Sequence, residues 1–217
     1  MKIIVLAAAE FETEPLAKNL HLKRLQSYGF TKDWVGNSYR LVQTNIGKVH
    51  AAAVTQYVID HDNPEWIINV GISGGFMKEV SLGDIVMPTH VIQYDLDQTK
   101  LGYPLGRIHK VEKIKLPLMT IRGNHSWKKG ICLTGDKVLS DQKEGGRLYQ
   151  LFHPAVVDME LGSIAQVCYM NGIKLMALKS PVDIVEKEEV ASFATRLDLS
   201  MIKLSNALKE LLACLQK

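Results

Sequence analysis

The stretch Val157-Asp158-Met159-Glu160 joins an apolar run to a helical pattern. Its first residue reads as the end of a buried strand, and a helix is predicted over Leu161–Asn171, with Gly172 ending it. In an α/β domain, the junction between a strand end and a helix start is the usual location of a ligand. Met159 and Glu160 are therefore candidate site residues.

A second junction follows the apolar run at 175–178 and leads to Pro181-Val182-Asp183. The two junctions predict that Glu160 and Asp183 lie at neighbouring strand ends, which is a usual arrangement for acid–base chemistry. Structural alternatives exist for each acid. Glu160 could stabilise its helix start through the helix dipole, Asp183 could be an N-cap, and Asp158 could be a solvated surface acid.

Composition predicts one globular domain over residues 1–217. The chain has 47% hydrophobic and 23% charged residues, which is ordinary for a folded, soluble protein. A net charge of +3 with scattered basic residues argues against a nucleic-acid partner. No apolar run reaches the roughly 20 residues that span a bilayer, so no membrane association is expected.

The cysteines and histidines predict neither a disulfide framework nor a metal site. Cys132, Cys168 and Cys214 are widely spaced in apolar surroundings and read as small core residues in a reducing compartment. The seven histidines lack ligand spacing. The opening apolar run, 3–9, is followed by three acids and reads as a buried strand rather than a signal segment. We expect a cytoplasmic protein without a cofactor.

Apolar, β-branched runs alternate with helical patterns along the chain. This alternation favours a mixed or mostly parallel central sheet that is covered by helices on both faces. Strands are predicted at 3–6, 39–44, 66–70, 83–93, 130–134, 156–157 and 175–178, and further helices at 51–59 and 194–215. The polar stretch from about 96 to 127 is predicted to be a long loop with a functional or interfacial role.

Two further segments follow predicted strands. Gly71-Ile72-Ser73-Gly74-Gly75 is predicted to be a loop, either a tight structural turn or a cradle of backbone N–H groups for a ligand. Glu12 follows the first strand and could simply be an acid in the first turn of a helix. Because the carboxyl ends of parallel strands converge, Glu12, Ser73, Glu160 and Asp183 are expected to share one cleft.

These residues also carry a resemblance. Over nearly its whole length the chain resembles the nucleoside phosphorylase/nucleosidase family, whose fold is a three-layer α/β/α arrangement with a central mixed, partly barrel-like sheet. The matching segments are the opening strand with Glu10-Phe11-Glu12, Thr44 to Val49, Asn69 to Gly75, Gly83-Asp84-Ile85-Val86, Tyr94-Asp95-Leu96-Asp97 with Gly102-Tyr103, Thr134-Gly135-Asp136, Val157 to Glu160, and Asp183 with Phe193.

The resemblance implies a mechanism for cleaving an N-glycosidic bond. Asp183 matches the acid that protonates, or hydrogen-bonds to, N7 of the leaving adenine. Glu12 matches the carboxylate that positions and deprotonates the attacking water. The acid and the base would then lie on opposite sides of the sugar, as in an inverting glycosidase. Glu160 matches the residue that binds the ribose hydroxyls. All three carboxylates of the family pattern are present.

The resemblance also implies the substrate-binding residues. Met159 would pack on the sugar, Leu139 would read the adenine edge through its backbone, and Phe193 would cover the base. Leu101 and Tyr103 would line the 5′ alkylthio pocket across a dimer interface. The remaining implied binding residues are Ile46, Ile72, Ser73, Gly74, Val138 and Lys179.

The residues implied to bind the substrate depart from the family pattern, whereas the three carboxylates do not. Ile72 stands where a Ser is usual, Lys179 where an Arg is usual, and Val138 where a Phe stacks on adenine. Val182 replaces the Ser before the acid, and Leu101 stands where an aromatic residue is common. These changes bear on the identity of the substrate rather than on the type of reaction.

The resemblance implies a homodimeric hydrolase of methionine salvage that releases adenine from 5′-methylthioadenosine and S-adenosylhomocysteine. Alternatives stay open at this point. A futalosine hydrolase, or an enzyme for another 6-substituted purine nucleoside, is compatible with the altered binding residues. Phosphorolysis would require several cations around a phosphate. A non-catalytic nucleoside-binding relative is a further alternative, from a different functional class.

Overall fold

A computed structural model describes residues 2–25, 31–111, 113–123, 125–185 and 193–215. Its strands are β1 (Ile3–Ala7), β2 (Lys23–Arg24), β3 (Asp33–Val35), β4 (Tyr39–Gln43), β5 (Trp66–Gly75), β6 (Val86–Gln93), β7 (Leu116–Pro117), β8 (Lys128–Thr134), β9 (Pro154–Asp158) and β10 (Lys174–Ile184). Its α-helices are α1 (Glu10–Asn19), α2 (Lys48–Asp62), α3 (Gln142–Phe152), α4 (Leu161–Asn171) and α5 (Phe193–Leu215).

One mixed sheet contains all of these strands and closes partly on itself. Neighbouring strands follow the order β10, β6, β8, β9, β5, β1, β4, β3 and β2, and β10 also pairs with β5. This additional pairing closes β10, β6, β8, β9 and β5 into a five-stranded barrel. The predicted mixed, partly barrel-like sheet is confirmed.

Helices cover the sheet on two sides, as predicted for a three-layer arrangement. One buried cluster combines α2 and α4 with the strands, through residues such as Val54 and Ile164. A second cluster combines α1 and α5 with the strands, through Leu16 and Leu208. The amphipathic pattern of the last helix is confirmed, since its leucines at 204, 208 and 211 are fully buried.

Two sequence predictions about local structure are wrong, and one helix was not predicted. The glycine-rich segment 71–75 is not a loop, because β5 continues through Gly75 and pairs with β10 on one side and β9 on the other. Helix α3 was not predicted, although Asp141 caps it by accepting from the Lys143 and Glu144 backbone N–H groups. Glu160 and Asp183 are not at neighbouring strand ends, because Asp183 lies inside β10 and β5 lies between β9 and β10.

The cysteines are free thiols in the structure. Cys132 and Cys168 are buried, as predicted, and burial raises the pKa of both thiols. Cys214 is exposed, which corrects the prediction of a core position, because it lies on the outer side of α5 near the end of that helix. None of the helices in the described ranges is both long and apolar enough to cross a membrane.

Candidate active site

A cavity of about 420 Å³ lies where β5, β9 and β10 meet the start of α1. This volume is within the range that small-molecule sites occupy. Its lining combines carboxylates with apolar side chains: Ala8, Ala9, Phe11, Glu12, Ile46, Ile72, Ser73, Gly74, Lys137, Val138, Leu139, Val157, Asp158, Met159, Glu160, Val182, Asp183 and Phe193. The expected convergence of Glu12, Ser73, Glu160 and Asp183 in one cleft is therefore seen.

Glu12 is held in a fixed orientation by backbone donors. Its Oε2 accepts from the N–H groups of Ala8 and Ala9, each at 2.9 Å, and its Oε1 accepts from Ile72 N–H at 2.8 Å. Burial raises the pKa of this carboxyl group, while the backbone hydrogen bonds and the charge of Lys179 oppose that rise. Glu12 is therefore an acid in the first turn of a helix, α1, and it also lines the cavity.

Two glycines of β5 allow carboxyl groups to rest directly against the strand. A Cβ on Gly71 would lie 2.6 Å from Oε1 of Glu12, and a Cβ on Gly74 would lie 2.9 Å from Oδ1 of Asp183. A larger residue at either position would force the neighbouring acid to move. The glycines therefore serve neither as a turn nor as a flexible loop. They make room for two acids against one strand.

Glu160 lies at the start of α4 and faces the same cavity. Its Oε1 accepts from Gly47 N–H at 2.8 Å. Burial raises the pKa of Glu160 to about 8, and the nearby Asp158 charge adds to this rise. The donor Gly47 is itself anchored, because Lys48 donates from its backbone to Asp136 and from its ammonium group to Asp95.

Asp158 is buried rather than solvated, which corrects the surface-acid alternative. Its Oδ2 lies 2.7 Å from the ammonium group of Lys179 and accepts from Leu161 N–H at 3.0 Å. Its Oδ1 accepts from the Thr134 hydroxyl. Burial alone would lower the pKa of Lys179, but the Asp158 carboxylate holds it above its usual value. This ion pair ties β10 to the junction that carries Met159 and Glu160.

Three of the predicted site residues are absent from the cavity lining. Lys179 lies behind the lining, because Asp158 binds its ammonium group and both side chains are almost fully buried. Leu101 is 74% exposed in a short 3₁₀ helix, Thr99–Leu101, and the Tyr103 ring packs against Arg107 and His109. A role for Leu101 and Tyr103 across a dimer interface stays a prediction.

Sequence reasoning missed part of the lining. Ala8, Ala9 and Phe11 face the cavity beside Glu12, and Phe11 makes an edge contact with Phe193 at 6.3 Å between ring centroids. The signal was available, since these residues lie between the first strand and Glu12. Lys137 also lines the cavity, and it forms an ion pair with Glu144 of α3.

Ser73 carries a buried hydroxyl that faces this cavity. The residue is 5% exposed, and its Oγ has no hydrogen-bond partner among the described residues. A buried hydroxyl without a partner is costly, so its position in the lining suits hydrogen bonding to a ligand. In the described ranges, no group of three or more His, Cys, Asp or Glu side chains is arranged to hold a metal ion.

Known proteins are similar to this chain along nearly its whole length. The 5′-methylthioadenosine/S-adenosylhomocysteine nucleosidase of Bacillus cytotoxicus is 31% identical over 98% of both chains. Two solved structures from Helicobacter pylori share the fold at 22% identity. The 5′-methylthioadenosine/S-adenosyl homocysteine nucleosidase of that organism has a TM-score of 0.88 over 98% of both chains. Its futalosine hydrolase has a TM-score of 0.87 over 98% of this chain and 97% of that one.

The family model of the phosphorylase superfamily matches residues 2–213. This range contains the whole lining of the cavity, from Ala8 to Phe193. Because nearly the full chain matches and the expected barrel-containing fold is observed, the chain belongs to the phosphorylase superfamily.

Proposed function

We propose that the chain is an N-glycosyl hydrolase that releases adenine from 5′-methylthioadenosine and S-adenosylhomocysteine. One observation carries this proposal: the carboxyl groups of Glu12 and Asp183 rest against the same strand, at Gly71 and Gly74, and face one cavity. An acid and a base that are held against one rigid strand can act on the two sides of a single bond.

The reaction passes through a ribosyl cation with oxocarbenium character. Asp183 donates a proton or a hydrogen bond to N7 of the adenine, so that the base leaves as a neutral molecule. Glu12 accepts the proton of the attacking water and directs that water at the anomeric carbon. The three backbone N–H donors to Glu12 favour its ionised form, which a general base requires.

The remaining lining groups fit the parts of a nucleoside. Glu160 binds the ribose hydroxyls, and Met159 packs on the sugar. The Ser73 hydroxyl gains a partner from a polar atom of the ligand. Apolar side chains and backbone groups surround the base and complete the lining of the cavity. They belong to Val138, Leu139, Phe193, Ile46, Ile72 and Gly74.

Lys179 acts on the site indirectly. Its ammonium group is bound to Asp158 behind the lining, so it does not touch the substrate. Its positive charge favours the ionised forms of Glu12 and Glu160, against the effect of burial.

Hydrolysis is favoured over phosphorolysis by the charges around the cavity. Among its described lining residues Lys137 is the single Lys or Arg, and its ammonium group is engaged with Glu144. Binding a phosphate dianion normally requires several converging cations or a set of backbone donors. Water is therefore the proposed nucleophile.

We further propose that the chain is a cytoplasmic homodimer that acts in methionine salvage. Leu101 and Tyr103 lie outside the cavity of their own chain, and Leu101 is largely exposed, which fits a contribution to the 5′ alkylthio pocket of a second copy. Light scattering of Leu101→Asp tests this. A monomeric variant with a raised KM supports the proposal, whereas a wild-type monomer contradicts it.

The test of function is adenine release by the purified protein, with and without phosphate. Methylthioadenosine, S-adenosylhomocysteine, adenosine and futalosine are compared, and base and sugar products are separated by chromatography. Phosphate-independent adenine release from the thioether nucleosides is expected. Hypoxanthine release from futalosine alone would identify a futalosine hydrolase. Binding without cleavage would identify a non-catalytic relative.

A further inference from the structure

Three charged residues outside the cavity lining form a closed network beside the candidate active site. The ammonium group of Lys48 donates to Oδ1 of Asp95 at 2.7 Å, and Oδ2 of Asp95 accepts from the Asp136 backbone N–H at 2.9 Å. Oδ1 of Asp136 accepts in turn from the Lys48 backbone N–H at 2.8 Å. The three residues follow β4, β6 and β8, so this network, here called the charged ring, joins three strand ends.

The charged ring reaches the cavity through the first backbone N–H groups of α2. The N–H of Gly47 donates to Oε1 of Glu160 at 2.8 Å, and the next N–H, that of Lys48, donates to Asp136. Gly47 has a φ of 97°, which residues with a side chain rarely adopt, and a Cβ at this position would lie 3.3 Å from Oδ1 of Asp136. Asp136 therefore fixes the peptide unit that directly follows the donor to Glu160.

The residue before Asp136 is tied to the strand that leads to Glu160. The backbone N–H of Gly135 donates to the carbonyl oxygen of Asp158 at 3.1 Å, at the end of β9. The donor Gly47 and the acceptor Glu160 are thus both anchored to the end of β9, the first of them through Asp136. Loss of the Asp136 side chain would release the donor while the backbone of Glu160 stays in place.

Asp136 also satisfies an N–H group at a helix start, as an acid that only caps a helix would. Such a cap would contribute to the stability of α2 without any effect on a ligand. The charged ring extends further than a cap, because it continues to the ion pair between Lys48 and Asp95. Their side chains are 19% and 24% exposed, so this pair is screened less by solvent than a fully exposed pair.

We propose that Asp136 is a positioning residue for recognition of the ribose: it aims the Gly47 N–H at Glu160 and thereby orients the Glu160 carboxylate toward the ribose hydroxyls. The inference rests on the proposed function, in which Glu160 binds these hydroxyls. A carboxylate that is held by a fixed donor presents its acceptor oxygens in one orientation, which favours binding of a diol over that of a single hydroxyl. Asp136 is absent from the described lining of the cavity, so it acts through Glu160.

The experiment compares kcat/KM for 5′-methylthioadenosine and its 2′-deoxy analogue in the wild type, Asp136→Ala and Asp136→Asn. Asp136→Ala is expected to lower kcat/KM for methylthioadenosine about threefold to tenfold, the effect of one hydrogen bond, and that for the deoxy analogue less than about twofold. The loss is expected mainly in KM. Asp136→Asn keeps an acceptor oxygen for the Lys48 N–H, so it is expected to stay within about twofold of the wild type for both substrates.

Two further variants separate positioning from folding. Lys48→Met opens the charged ring but keeps Asp136 and its backbone partner, and it is expected to shift the substrate ratio in the same direction by about twofold. It therefore tests the inference even where Asp136→Ala does not fold. Asp141→Ala is the matched control, since Asp141 caps α3 and is absent from the described cavity lining. Its substrate ratio is expected to stay at the wild-type value although a helix cap is lost.

A second readout tests whether Asp136 acts through Glu160. In the Asp183→Asn background, calorimetry is expected to show that Asp136→Ala raises the Kd of methylthioadenosine about threefold to tenfold, and no further once Glu160→Gln is present. An equal loss for both substrates, a wild-type substrate ratio in Asp136→Ala and Lys48→Met, or additive effects on the Kd would overturn the inference and leave the proposed function intact. A wild type that cleaves neither nucleoside would overturn both.

Discussion

The ammonium group of Lys179 lies 2.7 Å from Oδ2 of Asp158, and the two side chains are 2% and 1% exposed. Asp158 lines the candidate active site, whereas Lys179 lies behind it. The pair joins strand β10, which carries Asp183, to the junction that carries Glu160. Removal of either charge would leave its partner buried without compensation.

We expect Lys179→Met to lower the free energy of unfolding by about 3–5 kcal/mol, because breaking a buried ion pair from one side leaves an unpaired charge. Urea unfolding followed by circular dichroism measures the change. The exposed pair between Arg24 and Glu14 is the control, and Glu14→Gln is expected to cost less than about 1 kcal/mol. Equal costs for the two variants would contradict the structural role assigned to the buried pair.

Gly71→Ala is expected to reduce kcat by at least about tenfold, because the new methyl group would lie 2.6 Å from Glu12 Oε1 and displace the proposed base. Steady-state kinetics with methylthioadenosine measures the effect. Gly146→Ala is the matched control, since a Cβ on Gly146 would meet no heavy atom within 4 Å beyond the backbone of its own helix, and alanine favours the helix. A Gly71→Ala enzyme with wild-type kcat would disprove the need for close approach at this strand.

Asp183→Asn is expected to lower kcat by about 10²–10⁴-fold while substrate binding is largely retained, because the amide keeps the shape but cannot donate the acid proton. Glu12→Gln is expected to stop hydrolysis as well, through loss of the base. Single-turnover kinetics and isothermal titration calorimetry separate the chemical step from binding. Asp60→Asn, at an exposed position on α2, is the control. Near wild-type rates in either variant would reject the corresponding role.

Glu160 is expected to make folding stability depend on pH. Its folded-state pKa of about 8 is above the ordinary 4.5, so the folded form holds the proton more tightly. The stabilising contribution is complete below about pH 4.5 and is lost as the pH rises toward 8. Relative to Glu160→Gln, the wild type should therefore lose stability between pH 5 and pH 9, on the order of a few kcal/mol. Denaturant unfolding at both pH values measures this, and a constant difference would contradict it.

Much of the fold could be predicted from local pattern. Apolar runs placed most of the long strands, and Gly172 ended α4 where predicted, because these signals depend on neighbours in sequence. Helix α3 escaped prediction because Gly145 and Gly146 weaken its helical pattern, while its N-cap at Asp141 was a usable signal. The glycine-rich strand was mistaken for a loop because its hydrogen bonds go to β9 and β10, which are distant in sequence.

The sequence by itself determined the α/β class, the resemblance to a family, and the residues Glu12, Glu160 and Asp183 as a candidate set. These inferences rest on short motifs and on hydrophobic periodicity. Only the tertiary structure decided which groups meet. It brought Glu12 and Asp183 against two glycines of β5 and put Lys179 behind Asp158. Such contacts depend on barrel closure between distant strands, which no local pattern encodes.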